Sequence, residues 1–313
     1  MGVQDIYHRS PYSLRVAVAS GRGAQLRRQR FDSSTDTLVD LAISREQWSD
    51  EQWRSFTDRR LQAILQRAAR DVAAYRDVAP AVGVEASLGS FPLLGKSRLR
   101  ANPASFVRDG AARGLVEEHT SGTTATPLRL YLTRAEYREW YALAEARWRR
   151  WYGVSRRDRW GIVGGQLVAP PRAASPPYWV WNAPMHQLYM SSYHISAASA
   201  AAYVEAIDRH RLRYLVGYPS AIYALALACV EQGIGPRPLR VVIGNAEPVL
   251  GYQRRMISEV FGCPVRETYG MAVVTEVMTP EEVEVVAEHG ALLRRWRRAA
   301  GWPRAGAARR RGR

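Results

Sequence analysis

The second half of the chain alternates short apolar runs with helical stretches of about a dozen residues. The runs typical of strands are RWGIVGG (159–165), RYLVGY (213–218), LRVVIGN (239–245) and PVRETYG (264–270). The stretches with helical apolar spacing are residues 198–210, 220–231 and 252–261. This alternation indicates βαβ units, so we predict an α/β fold with a mostly parallel sheet flanked by helices.

Glycine-containing turns follow three of the predicted strands. They are GYPSA (217–221), GNAEP (244–248) and TYGM (268–271). Parallel strands place their carboxyl ends at one edge of the sheet, and ligands of such sheets bind in the crevice outside that edge. The three turns are therefore predicted to form the walls of one pocket.

A cluster of hydroxyl residues lies earlier in the chain, in EEHTSGTTATPLRLY (117–131), and RLYLT (129–133) then reads as a strand. The Thr, Ser, Gly and Pro residues are typical of an ordinary polar turn. They also suit a loop that holds phosphate, because backbone N–H groups and short hydroxyls can reach phosphate oxygens unhindered. No Gly-Lys-Ser/Thr follows at the Walker A spacing, so these residues leave both interpretations open.

Other segments are assigned from apolar spacing and proline content. Residues 45–78 are predicted to form one or two amphipathic helices, with Ser49 or Asp50 as the N-cap. Residues 134–152 are predicted to form a long helix whose Trp and Tyr side chains pack in a core. The proline-rich, aromatic stretch 168–190 is predicted to be a long ordered loop over the sheet.

These patterns divide the chain into three parts. We predict a helical region over residues 1–90, an α/β region over 91–275 and a terminal segment over 276–313. The terminal segment begins with the acidic stretch TPEEVEVVAEHG and ends in an arginine-rich tail without helical or strand period. We expect the tail, residues 291–313, to be disordered.

The net charge of +16 is concentrated in this tail, which holds nine arginines and no acid. Such a tail could contact nucleic-acid phosphates electrostatically. Its composition is also that of a solvated tail or of a GC-rich gene read out of frame, and these two interpretations are favoured. Nucleic acid is therefore not the expected partner.

The remaining composition indicates the class of protein and its cellular location. Hydrophobic residues make up 47% and charged residues 24% of the 313 residues, the balance of a globular protein with a core. The longest apolar stretch, 221–230, is too short to cross a bilayer, and the N-terminus has no apolar segment of a secretory signal. Cys229 and Cys263 are predicted to be buried thiols. We expect a cytoplasmic location and no membrane partner.

Several motifs together resemble those of a known family. TSGTTATP (120–127) resembles the phosphate loop TSGTTGxP of the adenylate-forming enzymes, and ETYGMA (267–272) resembles their adenine-site motif. The order and spacing of further stretches are similar to the phenylacetate–coenzyme A ligase group, especially its CapK-like branch: residues 44–78, 91–99, 214–226 and 241–270. The resemblance runs from about residue 7 to about residue 272.

The resemblance implies a reaction. Enzymes of this group join a small carboxylic acid to AMP, using ATP and Mg²⁺ and releasing pyrophosphate. A thiol, usually that of coenzyme A or of a pantetheinyl carrier protein, then attacks the acyl-adenylate. The resemblance therefore implies an ATP-dependent carboxylate-activating ligase built on the large N-terminal domain of an adenylate-forming enzyme.

The resemblance also implies site residues. The β- and γ-phosphates would be held by Thr120, Ser121, Gly122, Thr123 and Thr124. The adenine side would be lined by Gly244, Asn245, Ala246, Glu247 and Pro248. The purine would stack on Tyr269, and the acyl group would be closed off by Gly270 and Met271. The acyl pocket would be shaped by the aromatic loop with Tyr193, His194, Tyr218 and Pro219.

Taken singly, several of these residues have simpler interpretations. Glu247 and Tyr269 are ordinary polar residues at strand ends. His194 is more often a hydrogen-bonded loop histidine than a catalyst, and Lys96 is interpreted as a solvated lysine.

Two departures from the family pattern bear on catalysis. Val273 stands where the group has a glutamate that helps to bind Mg²⁺, and a valine has no oxygen to offer. Glu276 lies three residues further on, but it is not assumed to replace the glutamate, and no metal ligand is predicted. No adenylation lysine, ribose-binding aspartate or hinge is recognisable after about residue 274, so a C-terminal lid domain is expected to be missing. A weakly active ligase, or one completed by another polypeptide, is one hypothesis. The other is a non-catalytic truncated relative that binds nucleotide or an acyl group, or serves as partner of a complete ligase.

Overall fold

The computed structural model describes residues 3–78, 87–110, 114–119, 128–235 and 237–268. Its helices are α1 (Val3–Arg9), α2 (Tyr12–Arg30), α3 (Thr35–Ser44), α4 (Asp50–Asp71), α5 (Lys96–Ala101), α6 (Arg134–Trp148), α7 (Ala197–Arg209), α8 (Pro219–Glu231) and α9 (Gly251–Phe261). Its strands are β1 (Val116–His119), β2 (Arg129–Leu132), β3 (Trp160–Gly164), β4 (Trp179–Asn182), β5 (Gln187–Ser191), β6 (Tyr214–Gly217), β7 (Val241–Gly244) and β8 (Val265–Glu267).

The described residues form two compact units. The first, here called the sheet unit, contains residues 3–28 and 143–268, and the second, the helical unit, contains residues 29–142. The divisions fall inside α2 and α6. The predicted division at residues 90 and 275 stays a prediction, and the segment 276–313 lies outside the described residues.

The sheet unit is built on a six-stranded sheet with the order β4-β5-β3-β6-β7-β8. The β4–β5 pair is antiparallel, and the pairs β5–β3, β3–β6, β6–β7 and β7–β8 are parallel. The predicted α/β fold with a mostly parallel sheet is therefore confirmed. The predicted strands appear as β3, β6, β7 and β8, and the predicted helices α7, α8 and α9 begin and end within one residue of their predicted bounds.

One prediction in this unit is wrong. The stretch 168–190, expected to be a long loop over the sheet, contains β4 and most of β5. Val180 and Asn182 of β4 are 0% and 1% exposed, so this strand is part of the sheet. Prolines precede β4 but do not enter it, and in the sequence they hide this strand of four residues.

The outer edge of β4 is covered by α2. The Ser20 hydroxyl donates to the Trp181 carbonyl (3.5 Å) and accepts from the Ala183 amide (3.4 Å). A Cβ at Gly23 would lie 1.8 Å from Asn182 Oδ1, so only glycine lets the helix approach this closely. Covering an edge strand prevents its unpaired backbone groups from pairing with another chain.

Alternating residues of the central strands serve two different faces. Leu215 belongs to a core formed with α7, α8 and α9, in which Tyr203, Leu225 and Ile257 are buried. Tyr214 points to the opposite face, where its ring stacks on Trp160 with centroids 5.8 Å apart. The period of two along each strand thus gives the sheet two packed faces.

Three arginines lie in register at the amino edge of the sheet. Arg159, Arg213 and Arg240 directly precede β3, β6 and β7. The Arg213 amide donates to the Arg159 carbonyl (2.7 Å), and the Arg240 amide donates to the Arg213 carbonyl (2.8 Å). Arg213 also forms an ion pair with Asp158 (2.9 Å), and Arg159 donates to the His210 carbonyl (3.2 Å).

The helical unit confirms the local predictions made for it. Helix α4 begins after Ser49, whose hydroxyl accepts from the Gln52 amide in a capping box. Tyr137 on α6 is 5% exposed, as expected for core packing. The Arg60 guanidinium lies 2.8 Å from Glu139 and holds the pKa of that carboxyl below its ordinary value.

Two further predictions concern the thiols and the membrane. Cys229 and Cys263 are buried and free, as predicted, and burial raises the pKa of both thiols, that of Cys263 to about 11. Among the described helices, none combines the length and the apolar character needed to cross a bilayer.

Candidate functional site

The carboxyl ends of five parallel strands meet at one edge of the sheet. Gly164 at the end of β3 pairs with Ser191 of β5, Gly217 of β6 pairs with Gly244 of β7, and Gly244 pairs with Glu267 of β8. The residues that follow these strands are therefore neighbours in space. The turns predicted from the sequence to share a pocket, as far as they are described, do lie side by side.

The chain changes direction between β3 and β6. After β3 it runs to β4 and β5 on one side of β3, whereas after β6 it runs to β7 on the other side. Neighbouring strands whose connections leave in opposite directions form a crevice outside their carboxyl ends, and ligands bind there in open α/β sheets. The candidate site is thus centred on the ends of β3 and β6.

Two strand-end glycines at this edge leave no room for a side chain. A Cβ at Gly217 would lie 2.2 Å from the Val163 carbonyl oxygen, a backbone atom that cannot move away. A Cβ at Gly244 would lie 2.8 Å from Val249 Cγ2 and 3.0 Å from Pro219 Cγ. Glycine is required at both places because other chain segments approach closely.

The turn after β7 carries the residues assigned to the adenine side. The Asn245 amide donates to the Gly217 carbonyl (3.0 Å), which ties the turn to β6. Ala246 adopts a left-handed conformation with φ of 63°. Asn245 Oδ1 is buried and, among the described atoms, accepts no hydrogen bond. The Glu247 carboxylate accepts from the Ser220 amide (3.1 Å) near the start of α8.

Glu267, at the end of β8, holds this turn in place. Its side chain is 2% exposed, Oε1 accepts from the Val249 amide (2.7 Å) and Oε2 accepts from Arg254 Nη2 (2.7 Å). No role was predicted for Glu267 from the sequence. The signals available there were its place in the ETYGMA motif and a charged residue inside a predicted strand.

Residues 165–170, here called the β3 loop, begin at the crevice. A Cβ at Gly165 would lie 3.3 Å from the Tyr193 hydroxyl and 3.9 Å from Tyr218 Cε2. Tyr193 is 63% exposed and Tyr218 is 38% exposed, and both were assigned to the acyl pocket. Pro219, assigned to the same pocket, is buried as the first residue of α8. Two accessible aromatic side chains therefore flank a glycine at the centre of the site.

His194 is held by hydrogen bonds at both ring nitrogens. Nε2 lies 3.0 Å from the Pro170 carbonyl, which can only accept, so Nε2 carries the proton. Nδ1 then accepts from the Ser191 hydroxyl at 2.9 Å. The ring also stacks on Tyr178 at 4.7 Å. This geometry agrees with the interpretation of His194 as a hydrogen-bonded loop histidine.

The other residues assigned to the site lie outside the described residues. They are Thr120, Ser121, Gly122, Thr123, Thr124, Tyr269, Gly270, Met271 and Val273. Within the described ranges, no group of three or more His, Cys, Asp or Glu side chains could hold a metal ion.

No protein-family model matches the chain. Protein CapK of Staphylococcus aureus is 24% identical over 185 residues, which cover 59% of this chain and 41% of CapK. A structure of 2-hydroxyisobutyryl-CoA ligase with 2-HIB-AMP and CoA matches 70% of this chain and 54% of its own, at 21% identity and a TM-score of 0.46. O-succinylbenzoate coenzyme A synthetase of Bacillus subtilis, in complex with AMP, matches 53% of this chain and 32% of its own, at 17% identity and a TM-score of 0.34.

The chain therefore spans less than half of CapK and about half of the hydroxyisobutyryl-CoA ligase. The predicted resemblance to CapK is confirmed: the chain is similar to this protein over 185 residues.

Proposed function

We propose that the protein is an ATP-dependent carboxylate-activating ligase whose nucleotide and acyl group bind at the carboxyl edge of the sheet unit. In this reaction a carboxylate oxygen attacks the α-phosphate of ATP, the bond to the β-phosphate breaks, and pyrophosphate leaves. A thiol then attacks the acyl carbon, and AMP leaves. The observation that carries the proposal is the in-register row of strand-end glycines beside two exposed tyrosines.

The turn after β7 fits an adenine ring. Gly217 and Gly244 carry no side chain, so neighbouring segments pack directly on them and bring the turn after β7 close to β6 and α8. Asn245 Oδ1 is an acceptor without a donor among the described atoms, and the exocyclic amine of adenine is a donor. A buried acceptor of this kind costs free energy unless a ligand or water satisfies it. This supports the assignment of residues 244–248 to the adenine side.

The acyl group would occupy the crevice between β3 and β6. Tyr193 and Tyr218 would contact its body, and Pro219 and the β3 loop would close the pocket. The phosphates would be held by Thr120, Ser121, Gly122, Thr123 and Thr124, and Tyr269 would stack on the purine, with Gly270 and Met271 beside the acyl group. Bound Mg²⁺ would neutralise phosphate charge, but no residue of the chain is proposed as its ligand, because Val273 has no oxygen. Coenzyme A or a pantetheinyl carrier protein would supply the thiol, and a cytoplasmic location is proposed with it.

Pyrophosphate exchange into ATP with a panel of aryl and alkyl acids tests this function. We expect exchange with at least one acid. The double variant Thr123→Val, Thr124→Val keeps the side-chain shape and removes two hydroxyls. Its ATP affinity should fall roughly tenfold or more, for about 1.5 kcal/mol of lost hydrogen bonding.

The matched control is Thr57→Val, on the exposed face of α4, which should leave ATP binding unchanged. Equal ATP affinities for the wild type and the double variant, measured by titration calorimetry, would favour the interpretation of residues 120–127 as an ordinary turn.

A non-catalytic relative is the second candidate, favoured by Val273 in place of the metal-binding glutamate. It would bind nucleotide or an acyl group, or act as the partner of a complete ligase. ATP binding without exchange for any acid in the panel would support this candidate over the ligase.

A further inference from the structure

Side chains from the start of the chain hold the β3 loop by its carbonyl oxygens. His8 Nε2 donates to the Leu167 carbonyl (2.9 Å). The Tyr7 hydroxyl and Arg15 Nη1 both donate to the Val168 carbonyl, at 3.3 and 3.1 Å. Three donors on α1 and α2 therefore converge on two consecutive carbonyls that are about 160 positions away in the chain.

Arg15 is unusual among these donors because it is buried. It is only 7% exposed, and its Nε has no hydrogen-bond partner among the described atoms. Within the described ranges no carboxylate forms an ion pair with it; its neighbours are the Val168 carbonyl and the Tyr12 ring, 5.6 Å away. A buried charge without a counter-charge is costly to keep, so the contact with the loop is the polar interaction that defines its position.

The held loop forms one side of the candidate acyl pocket. It begins at Gly165, against the Tyr193 hydroxyl and the Tyr218 ring. Its far end is held by His194, which donates to the Pro170 carbonyl. The loop is thus fixed at its middle by Arg15 and at its end by His194, and a displacement at Val168 would alter the space beside both tyrosines.

We infer that Arg15 is a positioning residue for the acyl pocket: through the Val168 carbonyl it fixes the β3 loop against Tyr193 and Tyr218. The inference rests on the proposed function and adds α1 and α2 to the elements that determine affinity for the carboxylic acid. The inferred role concerns the affinity for the carboxylic acid and not the affinity for ATP. The turn after β7, assigned to the nucleotide, is held by Glu267 and not by Arg15.

Hydrogen–deuterium exchange of the full chain tests the contact itself. Arg15→Met removes the donor and keeps much of the apolar stem, and Arg15→Lys keeps the charge. The control is Arg27→Met, because Arg27 also lies on α2 and donates to a distant carbonyl, that of Pro184 (3.3 Å). We expect faster exchange of the β3 loop amides in Arg15→Met but not in Arg27→Met. Unchanged exchange in Arg15→Met would overturn the inference.

The kinetic test compares the KM for the carboxylic acid with the KM for ATP in pyrophosphate exchange. Arg15→Met should raise the KM for the carboxylic acid about tenfold and leave the KM for ATP unchanged. Arg15→Lys should restore part of the acid affinity, and Arg27→Met should resemble the wild type. A general loss of stability would instead reduce the amount of active enzyme without changing either KM.

The two proposals fail in different ways. A wild type that exchanges pyrophosphate, with an unchanged acid KM in Arg15→Met, overturns the role of Arg15 and leaves the ligase in place. A wild type that exchanges with no acid refutes the ligase, and the role of Arg15 in acid binding falls with it.

Discussion

Strands β3, β6 and β7 have different kinds of residue at their two ends. At the amino edge of the sheet, β3, β6 and β7 each follow an arginine, and at the carboxyl edge each ends in a glycine. The arginines Arg159 and Arg213 are fixed by contacts to His210 and Asp158. The carboxyl edge instead has a buried acceptor without a donor among the described atoms and two exposed tyrosines.

The two edges of the sheet are therefore stabilised by different kinds of contact. Long arginine side chains lie at the amino edge, where Arg159 and Arg213 form hydrogen bonds and an ion pair with their neighbours. At the carboxyl edge, the glycines let neighbouring segments pack directly on the strand ends, and the exposed Tyr193 and Tyr218 lie at the same edge. The contrast can be tested by changing one residue at a time at each edge.

The largest effect is expected at Gly217. The Cβ of Gly217→Ala would lie 2.2 Å from a backbone oxygen of β3, so the two strands would have to separate. We expect a loss of about 3 kcal/mol or more in the free energy of unfolding, measured by urea denaturation.

Gly235→Ala is the matched control, because a Cβ at Gly235 meets nothing within 4 Å. A Gly217→Ala protein as stable as this control would contradict the close approach of β3 to Gly217 at the carboxyl edge.

The second effect concerns Glu267, which is fixed as firmly as the arginines although it lies at the carboxyl edge. Glu267→Gln replaces one accepting oxygen with a donor that faces either the Val249 amide or Arg254. We expect a loss of about 2 kcal/mol in the free energy of unfolding.

The control on the same edge is Glu247→Gln, since Glu247 is exposed and accepts only from the Ser220 amide among the described groups. Its stability should change by less than about 0.5 kcal/mol. A Glu267→Gln protein of wild-type stability that no longer binds ATP would show that Glu267 contacts the ligand instead of supporting the turn.

The smallest effect is expected at the amino edge, at His210. Burial, followed by the charges of Arg159 and Arg209, lowers the pKa of His210 below its ordinary value of 6.5. The unfolded chain then binds a proton more readily than the folded one, so folding stability should decline as the pH falls below about 6.5. Urea midpoints at pH 7.5 and pH 5.5 measure this decline, which should be smaller in His210→Gln. An equal decline in both proteins would assign the pH dependence to other groups.

The repeating part of the fold could be predicted from the sequence. The strands β3, β6, β7 and β8 are short apolar runs followed by glycine or polar turns, and α7, α8 and α9 carry clear helical spacing. Because parallel topology places such turns at one edge, the neighbourhood of Tyr218 and residues 244–248 could also be predicted. The roles assigned to residues 120–124 and 269–271 stay predictions.

The rest depends on contacts that no local pattern contains. In the sequence Arg15 looks like a solvated helix arginine, and only the fold brings it to the Val168 carbonyl. Strand β4 has four residues, one of them the polar Asn182, and it is stabilised by β5 and by α2. Gln187, at the start of β5, is another polar residue that the fold buries at 3% exposure. Local apolar spacing cannot identify polar residues that become buried through distant partners.

The packing of α2 on β4 also has a consequence for synthesis of the chain. Ser20 and the backbone of Trp181 that it contacts are 161 positions apart, so α2 leaves the ribosome long before β4 exists. At roughly 5–20 residues per second, the interval is on the order of 8 to 30 seconds. During that time Leu14 and Val18 are accessible, and they remain 50% and 51% exposed even after folding. The first helices are therefore translated early but reach their final packing late.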